Sequence, residues 1–178
     1  MGKKLESITP ELQEFIGMQK VFFVGTAAEE GRVNVSPKGT DSFRVLDANK
    51  IVWLNLTGSG NETAAHVLKN NRMTILFCAF EGKPLILRLY GTATIFHRRD
   101  SEYARYIGLF PANAGARQII EMAVDLVQTS CGFAVPFMDF KEERETLNSW
   151  SAKQGEEGIY AYWQEKNVRS LDGFETGI

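Results

Sequence analysis

Histidine and cysteine are scarce in this chain of 178 residues, which has two of each. Cys78 and Cys131 form neither a CxxC pair nor a metal-ligand cluster. His66 and His97 have no partner at metal-ligand spacing, so the sequence predicts no metal site. Isolated cysteines favour a reducing compartment, and we expect a cytoplasmic protein.

An excess of charge and long apolar runs are also missing. The chain has 20 basic and 22 acidic residues and a net charge of -2, which does not favour nucleic acid or an anionic membrane as partner. The longest apolar runs, near Val21–Ala28 and Met73–Phe80, fall short of the roughly 20 residues that span a bilayer. No apolar run follows Lys3 and Lys4, so we expect no secretory signal. A small molecule is the expected partner.

The overall composition is that of a folded chain with a sizeable core, because 44% of its residues are hydrophobic and 24% are charged. The length suggests one domain. We divide it into a leading helix at 1–20, a barrel core with inserted helices at 21–130 and a C-terminal helical extension at 131–178.

Short segments rich in β-branched and aromatic residues dominate the first 130 residues and predict antiparallel strands. A hairpin of Met73–Phe80 and Leu85–Phe96 is apolar on both faces, as the interior of a packed barrel requires. Ile119–Thr129 alternates between apolar and polar residues and favours a further strand. The predicted fold is α+β, a mainly β small barrel with flanking helices. The other predicted strands are Val21–Thr26, Arg32–Val35, Phe43–Leu46 and Lys50–Leu56.

Helix signals occur at both ends of the chain and after the fourth strand. Thr9 before Pro10 predicts an N-cap. The sequence from Ser59 to Glu62 has the form of a capping box. Near the C-terminus, Glu142–Lys153 and Glu157–Lys166 predict two helices separated at Gly155, followed by a polar tail from 167 to 178.

The first candidate site lies at the end of a predicted strand, where Asn34, Ser36 and Lys38 share one face. An amide, a hydroxyl and a cation together suit a phosphorylated or polyhydroxylated ligand. A solvated strand end before a turn explains the same residues.

The second candidate is the small-residue turn from Thr57 to Thr63, whose free backbone N–H groups suit an anion. A capped helix explains it equally well, since the carboxylate of Glu62 would already satisfy the helix start.

Arg88 is the third candidate, because a cation within an apolar strand needs a buried carboxylate or a ligand. Trp163 is a candidate to cover a ligand ring or to pack in the core. We find no Ser-His-Asp set and no phosphate-binding Walker loop in the sequence. No catalytic residue is therefore assigned.

In order along the chain, four segments resemble those of the pyridoxamine 5'-phosphate oxidase-like family of FMN-binding split barrels. They are Val33–Gly39, Asp41–Asp47, Thr57–His66 and Asn71–Phe77. The C-terminal segments 130–136 and 165–173 resemble those of an uncharacterised branch of the family. The resemblance implies a split barrel, a homodimer with FMN at the subunit interface, and a small-molecule oxidoreductase. From this resemblance and from the candidate sites above, we expect the following residues to bind the cofactor: Asn34, Val35, Ser36, Lys38, Thr57, Ser59, Gly60, Asn61, Thr63, Arg88 and Trp163.

Two departures from the family pattern set this chain apart. Asn61-Glu62-Thr63 stands where the oxidases carry Ser-Arg-Lys on the FMN phosphate, and Arg169-Ser170-Leu171 replaces their Arg-x-His. We therefore expect a protein other than a true pyridoxamine 5'-phosphate oxidase. The alternative is a non-enzymatic split-barrel module for haem, a deazaflavin or no ligand. The cations available to replace the lost phosphate contacts are Lys38, Arg44, Arg72 and Arg88.

Overall fold

The computed structural model describes residues 2–178, which form eight strands and four helices. The strands are β1 Lys4–Leu5, β2 Phe22–Thr26, β3 Asn34–Lys38, β4 Phe43–Asp47, β5 Lys50–Leu56, β6 Arg72–Cys78, β7 Ile86–His97 and β8 Ala116–Ser130. The helices are α1 Pro10–Met18, α2 Glu62–Lys69, α3 Ser101–Ile107 and α4 Thr146–Lys166.

All strands belong to one antiparallel sheet, in the order β3-β2-β6-β7-β8-β5-β4, with β1 added alongside β8. β3 and β4 end this order, so the curled sheet stays open between them. The predicted α+β split barrel is confirmed. Across the opening, the rings of Phe22 and Phe43 meet edge to face with their centroids 4.9 Å apart.

The core fills the inside of the curled sheet. Most of the alternate residues of the central strands are buried there, including Ile75, Leu87, Leu89 and Met122. The outer face of β6 and β7 is only half-buried and carries Thr74, Leu76, Arg88 and Tyr90. The prediction that this hairpin is apolar on both faces is therefore wrong, because one face alone packs in the core of this chain.

The two predicted helix starts have different outcomes. Thr9 caps α1, since its Oγ1 accepts a hydrogen bond from the backbone N–H of Leu12 at 3.4 Å. The predicted capping box is wrong, because α2 has Asn61 as N-cap and no side-chain cap bond. Glu62 instead accepts a hydrogen bond from the backbone N–H of Leu171 at 2.9 Å, which comes from the chain end packed over this turn.

The C-terminal region is more ordered than the sequence suggests. The helix begins at Thr146 and is interrupted at Gly155, where φ is +67°, which confirms the predicted separation. The residues after it do not form a solvated polar tail, because Asn167 and Thr176 are fully buried. α3 was not predicted. Within residues 2–178 we find no helix long and apolar enough to cross a membrane.

Candidate anion-binding site

A cavity of about 620 Å³ lies between β3, the turn before α2 and the segment that follows α4. We call it the anion cavity. Most of the predicted cofactor-binding residues line it, namely Asn34, Ser36, Lys38, Ser59, Gly60, Asn61 and Thr63. The strand end and the small-residue turn, which are two separate candidates in the sequence, thus form one site.

Strand β3 presents its polar side chains to the cavity by simple alternation. Ser36 donates to Asn34 Oδ1 at 3.1 Å, and Asn34 Nδ2 donates to Thr63 Oγ1 at 3.4 Å, which joins the strand to α2. Val35 lies on the opposite face and is 66% exposed. Its side chain is therefore not part of the cavity wall.

Lys38 brings a cation to the cavity from the end of β3. Its Nζ lies 3.4 Å from Asn55 Oδ1 and 5.3 Å from the centre of the Trp53 ring. Burial, and then the charge of Arg117, lower the pKa of Lys38 to about 8. An anion bound beside this amine would favour its charged form.

Arg117, near the start of β8, supplies a second cation and is only 3% exposed. One of its terminal nitrogens donates to the carbonyl of Gly60 at 3.1 Å and to Asn167 Oδ1 at 2.6 Å. Burial lowers the pKa of Arg117 to about 10, which leaves it charged at neutral pH. Among residues 2–178, neither Arg117 nor Lys38 has a carboxylate within 4.0 Å of its side-chain nitrogens.

Asn61 adds unsatisfied polar groups at the start of α2. Its side chain is 2% exposed, and neither its amide nitrogen nor its oxygen has a hydrogen-bond partner among the described residues. Buried polar groups are nearly always paired, so this unpaired amide in the cavity wall is a candidate ligand group.

Glu62 also lines the cavity, but its carboxylate is engaged with the backbone of Leu171. Asp172, which follows Leu171 in the chain, pairs with the side chain of Arg32 and accepts a hydrogen bond from the backbone N–H of Arg32 at 2.7 Å. These contacts hold the residues after α4 over the cavity, where Lys166, Arg169 and Ser170 complete the wall.

Comparisons with known proteins agree with this architecture. The sequence model of the family described as pyridoxamine 5'-phosphate oxidase matches residues 8–131. The chain belongs to this family. A pyridoxamine 5'-phosphate oxidase family protein of Aspergillus flavus, ustO, is 36% identical over 188 residues, which cover 94% of this chain and 75% of the relative.

Solved structures of low sequence identity share the family's fold. HupZ of Group A Streptococcus has a TM-score of 0.55 at 21% identity, over 69% of this chain and 99% of that one. A candidate pyridoxamine 5'-phosphate oxidase of Lactobacillus delbrueckii has a TM-score of 0.54 at 18% identity, over 70% and 98%. An FAD binding protein of Mycobacterium smegmatis has a TM-score of 0.50 at 11% identity, over 71% and 97%.

Besides Val35, three of the predicted residues lie outside the cavity of this family member. Thr57 and Trp163 are buried, and Trp163 Nε1 donates to Thr57 Oγ1 at 2.9 Å while Thr57 donates to the carbonyl of Gly115 at 2.8 Å. Arg88 is half-buried and donates to Ser130 Oγ at 2.9 Å. The sequence predicts a buried carboxylate or a ligand beside Arg88, but among the described residues its partner is a hydroxyl, and partial exposure to water lowers the cost of its charge.

The cations that surround the cavity differ from those expected for this family member. Of the four candidates, Lys38 alone lines the cavity within the described residues. Arg44 pairs with Asp41 and Arg72 donates to Asn70. The other cations of the described wall are Arg117, Lys166 and Arg169, of which Lys166 pairs with Glu165 and Arg169 with Glu175.

Sequence reasoning missed Arg117 because nothing near it in the chain marks it as part of the site. Asn55 could have been found from the sequence, because it is a polar residue in the otherwise apolar run of β5 and such a residue needs a buried partner. In the structure it is only 1% exposed. Asn167 could not have been found in this way, because its role depends on contacts with residues 50 or more positions earlier.

Proposed function

We propose that this protein binds FMN in the anion cavity, with the phosphate held by Lys38 and Arg117, and acts as an oxidoreductase on a small molecule. The observation that carries the proposal is a pair of cations that line one cavity without a carboxylate partner among the described residues. Placing uncompensated charge in a partly buried site is costly unless a ligand of opposite charge balances it.

The other groups of the cavity fit a phosphate ester. The hydroxyls of Ser36 and Ser59 and the amide of Asn61 supply neutral hydrogen bonds. Glu62 carries the one carboxylate of the described wall, and its bond to Leu171 gives it a structural role. The substitution of Glu for a family cation therefore does not exclude phosphate here, because Arg117 provides the lost charge.

FMN, when bound, supplies hydride transfer, and the chain's own residues bind and orient it. Lys38 and Arg117 fix the anionic end, while the residues after α4 limit access of water to that end. The FAD binding protein of Mycobacterium smegmatis has a similar fold, which supports a flavin as ligand.

We also propose a homodimer that completes the cofactor site at its interface. The half-buried outer face of β6 and β7 supports this, since Leu76 and Tyr90 lie there among Thr74 and Arg88. The free thiols of Cys78 and Cys131 support the cytoplasm as the compartment.

Purification of the untagged chain with absorption spectroscopy tests the cofactor proposal. We expect flavin bands and release of FMN on denaturation, and tighter binding of FMN than of riboflavin because riboflavin lacks the phosphate. A colourless protein that does not take up added FMN contradicts the proposal, and a haem or deazaflavin spectrum supports the alternative of another ligand.

A further inference from the structure

A second cavity, of about 760 Å³, lies on the other side of Arg117. His97, Arg98 and Arg99 at the end of β7 form one wall, and Tyr160 and Trp163 of α4 form another. We call it the arginine cavity. Arg117 lines both cavities, so it forms part of the wall between them.

Three cations line this cavity against two side-chain carboxylates, although Arg98 and Arg99 are themselves exposed to water. Arg98 donates to the carbonyl of Ala116 at 2.6 and 2.9 Å, and Arg99 donates to the carbonyl of Gly177 at 2.7 Å. These carbonyls fix the guanidinium groups without neutralising them. Glu156 lies 3.6 Å from Arg98, but its side chain is 89% exposed, so water screens much of its charge. Glu157 is the other carboxylate at the rim.

Two residues that line the arginine cavity, His97 and Arg117, carry buried nitrogens without a hydrogen-bond partner among the described residues. His97 is 8% exposed, and its Nδ1 has no hydrogen-bond partner among the described residues. The same is true of Arg117 Nε. Burial and then the charge of Arg99 lower the pKa of His97, against the opposing effect of Asp100. A neutral imidazole and three guanidinium groups therefore surround a space large enough for a small molecule.

We propose that the arginine cavity is a second ligand site, which binds the carboxylate or phosphate of a small organic anion whose apolar body lies against Tyr160. Tyr160 is 60% exposed at the cavity and offers a ring face to such a body. The arginines at the far wall provide the charge-assisted hydrogen bonds. This site shares Arg117 with the proposed FMN site but does not require FMN to be bound.

Imidazole NMR of the untagged, ¹⁵N-labelled chain tests the proposal, because the chain has two histidines. Benzoate and phenyl phosphate are the probes, and benzyl alcohol is the neutral control. We expect both anions to shift the His97 signals and raise the His97 pKa, with His66 unchanged because its Nδ1 is held by Thr26 at 3.2 Å. Benzyl alcohol should shift neither. A stronger response to phenyl phosphate would identify the phosphate as the preferred group.

Variants locate the binding. Arg99→Gln should weaken benzoate binding about tenfold, the loss typical of a charge-assisted hydrogen bond. Arg99→Lys should retain part of the affinity. Arg88→Gln, which removes a cation of β7 outside the cavity, should retain all of it. Lys38→Ala should also leave benzoate affinity unchanged while it weakens FMN.

Three results would overturn the proposal. They are a His97 signal that neither anion shifts, equal shifts of both histidines, and a loss with Lys38→Ala as large as that with Arg99→Gln. The last would place the anion in the first cavity. Since the measurement uses no flavin, failure of FMN to bind leaves its outcome unaffected.

Discussion

The side-chain oxygen of Asn167 accepts a hydrogen bond from the guanidinium of Arg117 at 2.6 Å, across 50 positions of sequence. The amide nitrogen of the same Asn167 donates to the carbonyl of Gly58 at 3.1 Å. One buried amide thus connects the residue after α4 to both the anion cavity's second cation and the turn before α2. Because the partner is neutral, the positive charge of Arg117 remains available to a ligand.

Asn167→Asp tests this relationship directly. A carboxylate at 167 still accepts the bond but neutralises Arg117, so we expect FMN affinity to fall about tenfold while riboflavin affinity is nearly unchanged. Fluorescence titration of both flavins measures this. Asn167→Ala is the comparison and should lower the free energy of unfolding by about 1–3 kcal/mol, because Arg117 then loses a buried acceptor. Equal loss of both flavins in Asn167→Asp would contradict the assignment.

Lys38→Ala should weaken FMN more than riboflavin, by about tenfold, because the amine interacts with the phosphate alone. Lys50→Ala is a suitable control, since Lys50 is a half-exposed lysine outside the cavity, near Glu121 on the neighbouring strand. If Lys38→Ala weakens both flavins to the same extent, Lys38 contacts another part of the cofactor.

The pH dependence of FMN binding follows from the pKa of Lys38, which is lowered from 10.5 to about 8. Above that pH the free amine loses its proton, so we expect FMN affinity to fall as the pH rises through 8. Riboflavin should show no such fall, and Lys38→Arg should remove it. Between about pH 8 and 10.5, and without ligand, Lys38 is protonated in the unfolded chain but mostly neutral in the folded chain, so the unfolded chain binds more protons. The contribution of Lys38 to the free energy of unfolding should therefore rise with pH across that interval.

Glu62→Gln separates the charge of Glu62 from its hydrogen bond. Glutamine keeps an acceptor for the backbone N–H of Leu171 and removes the negative charge from the cavity wall. We expect FMN to bind more tightly, with the larger gain at low salt. Glu62→Ala should instead expose the Leu171 amide to faster hydrogen exchange. A large loss of affinity in Glu62→Gln would mean that the carboxylate itself binds the ligand.

The dimer proposal predicts that Leu76→Arg on the outer face of β6 shifts the protein towards monomer in sedimentation experiments. FMN should favour the dimer of the unmodified chain, since a ligand that binds only the assembled state stabilises it by mass action. Leu46→Arg, on an exposed part of β4, is the control. A monomer at micromolar concentration that binds FMN tightly would show that one chain forms the site alone.

Local signals in the sequence predicted much of the fold. The N-cap at Thr9, the break at Gly155 and the alternation of β8 were all confirmed, because each depends on the chemistry of residues close together in the chain. The capping box at Ser59–Glu62 failed for the opposite reason. Leu171, which is remote in sequence, offers Glu62 a backbone N–H that the local pattern cannot reveal.

The sequence by itself determined the family, the split barrel and the polar face of β3, since these follow from ordered motifs and from the two-residue period of a strand. Tertiary structure decided which cations share the cavity. Arg117 lies in the cavity wall because β8 pairs with β5. The residues after α4 lie over the cavity because Asn167, Leu171 and Asp172 form hydrogen bonds with residues much earlier in the chain, namely Gly58, Glu62 and Arg32. Such long-range pairing leaves no local pattern, so packing alone joined these residues into one site.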